Sequence, residues 1–205
     1  LGLGAAENRG SGPGEMGRRL PAVDLGAGAV AVEVAAGGFH SCARLQSGAV
    51  KCWGHSDQGQ LGLGNKDKRG DQPGSMGDAL PAVNLGDGRK ATALSTLYDH
   101  TCALFEDATV KCWGWNKDGQ LGLGDRRNRG DAPSTMGDAL PVVNLGSQAK
   151  GAELGVGWDH TCARLQSGAF KCWGLNWAGH LGLGHKETRG DGPGEMGDAL
   201  PAVPL

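Results

Sequence analysis

No run of apolar residues in this 205-residue sequence is long enough to cross a membrane as a helix, so the sequence offers no membrane span. An excess of charge is missing too. With 20 Lys and Arg against 22 Asp and Glu, the net charge of −2 gives no global reason to expect nucleic acid or an anionic membrane as a partner. Catalytic motifs are absent: there is no serine in a nucleophile elbow, no His-Glu-x-x-His, and no phosphate-cradling loop, since Gly62-Leu63-Gly64 and its copies are not followed by Lys-Ser. The reading is therefore a non-enzymatic protein without cofactor or metal. No amphipathic helical pattern and no Cys-x-x-Cys knuckle occur either. The sequence begins at Leu1 with neither methionine nor signal segment, so it reads as a piece of something longer whose export route is not visible.

What is present is a repeat. His100-Thr101-Cys102-Ala103-Leu104, Val110-Lys111-Cys112-Trp113-Gly114 and Gly119-Gln120-Leu121-Gly122-Leu123-Gly124 have counterparts one period before and after, with Cys42, Cys102 and Cys162 spaced by 60 residues. Within each period two alternating runs flank a short turn, the pattern of a β-hairpin. Gln46-Ser47-Gly48 suits a three-residue loop whose last residue is left-handed, as does Gly168; Ala108 departs from this, so a looser middle turn is expected. If Leu45 and Ala49 close the loop as a bonded pair, Cys42 faces Cys52 in a non-hydrogen-bonded pair, where side chains come closest. The same count pairs Cys102 with Cys112 and Cys162 with Cys172, giving three disulfides. Free buried thiols, or a metal held by His40, Cys42 and Cys52, are the competing readings, but nothing supplies a fourth ligand. Disulfides place the protein outside the reducing cytoplasm, secreted or on a cell surface.

The 39 glycines fall at repeated turn positions and punctuate many short strands. Leu20-Pro21-Ala22-Val23-Asp24-Leu25 is a strand candidate with proline near its start, and 30–36 is a second. With the two hairpin strands this makes four per period, the arithmetic of an all-β, β-propeller blade. The 1–205 array then holds blades at about 20–54, 80–114 and 140–174, with partial repeats at 1–19 and 175–205. Three blades and part of a fourth close no ring by themselves, so self-association through open ends is expected unless more chain covers them.

The histidine-cysteine, Lys-Cys-Trp-Gly and Gly-Gln-Leu-Gly-Leu-Gly strings, with Ala-Leu-Pro-x-Val-x-Leu-Gly, resemble the repeat of the regulator of chromosome condensation family. That resemblance implies four-stranded blades in a seven-bladed propeller. The cysteine pair and the loop from Asn128 to Pro141 are similar to exported bacterial members more than to the nuclear protein. Relatives of this kind include a nucleotide exchange factor for a small GTPase, parts of ubiquitin ligases and a secreted inhibitor of β-lactamases. What the resemblance carries over is a rigid disc that presents loops to a protein partner.

The candidate binding residues lie where the repeats disagree. Phe39, Tyr98-Asp99 and Trp158-Asp159 precede the three repeated histidines, and His55, Trp115 and Trp177 follow the Trp-Gly pairs. Tracing one blade puts all of these turns on one face, where large aromatics outside the repeated core favour a protein interface or pack on the next blade's loops. His40, His100 and His160 read as structural, each bonding a neighbouring backbone group, and Trp53, Trp113 and Trp173 as wedge fillers between blades. Arg69-Gly70-Asp71 and its copies spell an integrin-recognised tripeptide that is equally a surface turn. The acidic loop beside Asp78, Asp138 and Asp198 has too few ligands for calcium. A non-enzymatic extracellular binding module is thus the leading reading. A subunit of an extracellular fibre or surface layer is the second, and inhibition of a secreted enzyme the third.

Overall fold

Each 60-residue period folds into a small antiparallel sheet because its alternating runs are joined by turns too short to do anything but reverse the chain. The computed structural model describes residues 1–204. Three sheets follow in order: β1 (Ala31–Ala36), β2 (His40–Leu45) and β3 (Val50–Gly54); β4 (Ala91–Leu97), β5 (His100–Phe105) and β6 (Val110–Gly114); β7 (Gly151–Val156), β8 (His160–Leu165) and β9 (Phe170–Gly174). Within each, strands neighbour one another in chain order. Strand β1 packs beside β4, and β4 beside β7, so the sheets face each other in series.

The expected register holds in all three hairpins. Cys42 lies opposite Cys52, Cys102 opposite Cys112, and Cys162 opposite Cys172. Each pair is bridged, with Cα atoms 4.1 Å apart, as the close-approach sites of an antiparallel ladder allow. No free cysteine remains, so the thiols that a metal or free-thiol reading requires are oxidised.

Two expectations need correction. The middle hairpin turn is not looser: the amide of Ala108 donates to the Phe105 carbonyl at 2.9 Å, as Gly48 does to Leu45. Ala108 occupies the left-handed region at φ 64°, a position that costs a residue with a Cβ about 1 kcal/mol. Asp107 holds the turn in place by accepting from the Thr109 amide and hydroxyl.

The sheets are also three-stranded, not four-stranded. The Leu-Pro segments expected to open each blade form no ladder. Their backbone bond to a sheet is a single one, from Val83 N to Val50 O, Val143 N to Val110 O and Val203 N to Phe170 O. The segment at 80–85 thus lies between two sheets, its Val83 amide bonded to the sheet before it. Pro81 has no amide to give a ladder, and the Leu85 carbonyl is taken by the Lys111 ammonium of the following sheet. Val83 and Leu85 fill the space between first and second sheets with Val50, Ala91, Leu94, Phe105 and Trp113. Val143, Leu145 and Trp173 repeat this between second and third.

Candidate protein-binding face

The repeated residues build the platform first. His40 Nε2 lies 2.8 Å from Thr101 Oγ1, and His100 Nε2 lies 3.0 Å from Thr161 Oγ1, each bond crossing to the next sheet. Thr101 donates onward to the Gln60 carbonyl, which also accepts from Trp113 Nε1; Thr161, Gln120 and Trp173 do the same. Because the hydroxyl spends its proton on a carbonyl, it accepts from the imidazole, which fixes the Nε2–H tautomer. His40 and His100 are structural as expected, with a threonine side chain of the next sheet as the partner of Nε2, whereas His160 stacks on His180. Burial lowers the pKa of His40 to about 4, with the Tyr98 carbonyl opposing, and that of His100 to about 3.

Onto this platform the variable turns are pinned in pairs. The amides of His55, Trp115 and Leu175 donate to the carbonyls of Phe39, Asp99 and Asp159, joining the turn before each histidine to the loop after each Trp-Gly. The structure then brings some candidates together. Phe39 lies 6.2 Å from His55 and 6.4 Å from Tyr98, and Tyr98 lies 5.2 Å from Trp158, centroid to centroid. These rings form a ribbon across all three sheets, with Phe39 66% and Trp158 67% exposed. Tyr98 takes φ 50°, a strained value for a bulky residue, and the Gly38 amide donates to its carbonyl.

Other candidates sit apart. Trp177, 69% exposed, meets His180, which stacks on His160. Trp115 is half-buried and has none of these ring contacts. Asp99 accepts from Gln60 Nε2 at 2.7 Å and Asp159 from Gln120 Nε2 at 3.4 Å, so both tie neighbouring sheets as well as lining the face. Burial raises the pKa of both.

The Arg-Gly-Asp copies are clamps, not presented loops. Gly70, Gly130 and Gly190 are buried; the Gly64 amide donates to the Gly130 carbonyl, and a Cβ on Gly130 would fall 2.3 Å from the Gly59 carbonyl oxygen. Sequence reasoning also passed over three residue sets. Lys51, Lys111 and Lys171 are largely covered and give their ammonium groups to backbone carbonyls, Gly77, Gly137 and Gly197 among them. Asn116 and Asn176 are fully buried, each spanning a loop from the Leu121 or Leu181 amide to carbonyls nine and eleven residues on. Gln60 and Gln120 are the third set. The 60-residue recurrence of Lys and Gln was the available signal. No group of three or more His, Cys, Asp or Glu able to hold a metal ion occurs among the described residues.

Comparison with known proteins agrees with this architecture. The model of the regulator of chromosome condensation (RCC1) repeat matches residues 31–60, 98–120 and 152–176. The chain is similar to the ultraviolet-B receptor UVR8 of Arabidopsis thaliana, 31% identical over 76% of this chain and 32% of the receptor. It is similar also to the probable E3 ubiquitin-protein ligase HERC4 of Homo sapiens, 33% identical over 77% of this chain and 13% of the ligase. It therefore spans a third or less of these relatives. Among solved structures, Prp20p from Saccharomyces cerevisiae superposes with a TM-score of 0.61 at 18% identity, covering 85% of this chain and 38% of that one. Human WBSCR16 gives 0.57 at 22% identity, with the same coverage. The repeated residues, the sheet series and these matches together show that the chain carries repeats of the regulator of chromosome condensation (RCC1) kind.

Proposed function

We propose that this chain is a protein-binding propeller module of an oxidising, extracellular setting, and that it binds through the turn face bearing Phe39, Tyr98 and Trp158. The observation that carries the reading is the exposed aromatic ribbon held on three disulfide-stapled sheets. Large rings left bare on rigid backbone give contact area at little entropic cost, the property of interface anchors. His55, at one end of the ribbon, and Asp99 and Asp159, beside it, belong to the same surface; Trp115 and Trp177 lie at its margin. Three disulfides support the oxidising setting. Partners captured by the oxidised chain from the fluid of its natural setting should be lost in quantitative mass spectrometry when Phe39 and Trp158 are changed to alanine. Each substitution is expected to cost about 1–2 kcal/mol of affinity. Capture that does not change between wild type and the double variant removes this face as the site.

Self-association is the second reading, favoured by one observation. Val30, Val32 and Val34 are 53%, 49% and 66% exposed, whereas Leu94, the equivalent of Val34 one period on, is 7% exposed against the first sheet. A further repeat or a second copy laid on the first sheet would cover these valines as the first sheet covers Leu94. Sedimentation should then show mass rising with concentration, and Val34→Lys should abolish the rise. A single monomeric species at every concentration would count against it.

A further inference from the structure

The aromatic ribbon shares its surface with an unbalanced set of charges. The turns at 37–40, 55–60, 97–100, 115–120, 157–160 and 175–180 contain Asp57, Asp99, Asp118 and Asp159 against a single lysine, Lys117. Asp57 faces the His55 ring at 3.0 Å. The other three form no salt bridge among the described residues. Arg126, which feels the field of Asp118, is engaged by Asp191. The Asp159 carboxyl is pushed up by burial and then by the fields of Asp118 and Asp99, with His180 opposing, so these carboxylates act on one another without a salt-bridged lysine or arginine.

Beside them lie the faces of Trp158 and Phe39, two-thirds exposed, with Tyr98 between. A π-face attracts guanidinium and ammonium groups, and a carboxylate next to it holds the same charge by hydrogen bonding. An acidic partner would meet repulsion here, and a neutral apolar one would leave the carboxylates desolvated and unpaired. Resting on the protein-binding reading of this face, we propose that its ligand is a basic peptide segment. Its Arg or Lys side chains lie on Phe39, Tyr98 and Trp158, and Asp99, Asp118 and Asp159 meet their charges.

The test is calorimetric titration of the oxidised full chain with an oligo-arginine peptide, alongside oligo-glutamate and a glycine-serine peptide. Saturable binding of oligo-arginine alone is expected, weakening as salt is raised. Trp158→Ala should weaken it about fivefold, and Asp118→Asn with Asp159→Asn about tenfold. Trp158 is exposed and the asparagines are isosteric, so circular dichroism should show an unchanged fold in both variants. Absence of saturable oligo-arginine binding, or an affinity that neither variant alters, overturns the proposal, as does a loss confined to the aspartate variant, which would reduce it to plain charge attraction. If capture of natural partners depends on Trp158 while oligo-arginine does not bind, the face stands and the basic ligand falls. If neither depends on Trp158, both fall.

Discussion

Under a strong reductant the protein should lose its cooperative unfolding transition at neutral pH. Each bridge closes a loop between residues 10 apart in sequence. Closure of so short a loop removes roughly 2–3 kcal/mol of denatured-state entropy in the chain-entropy model, so three remove on the order of 8 kcal/mol. That is comparable to the whole stability of a small domain. The sheets offer little to compensate, since each has three short strands and its outer strand is covered by isolated bonds, Gly54 with Arg69 and Val83 with Val50 in the first. Denaturant titration with and without reductant, followed by tryptophan fluorescence because Trp113 and Trp173 are buried beside the hairpins, measures the difference. Equal midpoints in the two titrations would show that packing alone holds the repeats together.

Acid should unfold the oxidised protein from within. His40 and His100 are held neutral, their pKa values lowered from 6.5 to about 4 and about 3, chiefly by burial. Below pH 6.5 the unfolded chain therefore binds protons that the folded chain does not, and stability falls as pH drops from 6.5 toward 4. The loss is about 1.4 kcal/mol per pH unit and site, on the order of 5 kcal/mol for the pair across that window. Protonation of His100 would place positive charge at an Nδ1 that has no hydrogen-bond partner. Asp99 and Asp159, whose pKa values are raised, act in the opposite sense but nearer the ordinary aspartate range. Denaturation midpoints at pH 7 and pH 4.5 should differ accordingly. In a His40→Gln, His100→Gln variant, whose amides can still donate to Thr101 and Thr161, most of the difference should vanish. A profile that is flat between pH 6.5 and 4.5 would sink the relay as a source of acid sensitivity.

Hairpins, bridges and core were legible in the sequence because each rests on local spacing. Cysteines ten positions apart, with Gly48 at the turn, leave one register, and that register sets which side chains meet. The reading failed where partners are far apart in sequence. Leu80-Pro81 looks like a strand start by composition, yet the segment it opens gives its Val83 amide to Val50 on one side and its Leu85 carbonyl to Lys111 on the other, which no window of local residues contains. Ala108 misled in the opposite way, because the Asp107–Thr109 bonds that hold its turn are a side-chain effect. At the candidate face the sequence identified Phe39, Tyr98 and Trp158 as departures from the repeat. That Asp99 also ties Gln60 across a sheet boundary depends on the stacking of one period upon the next.

That stacking has a consequence for how such molecules change length. Partners across a boundary are about one period apart: His40 with Thr101, Gly64 with Gly130, and Gln58 with Asn128, 70 residues away. Inserting or deleting one whole period therefore leaves every surviving junction with an equivalent neighbour, and no new lock has to be invented. Gene duplication can lengthen the array while each unit keeps the same shoulders, and only the turn residues need diverge to give the added unit a new surface.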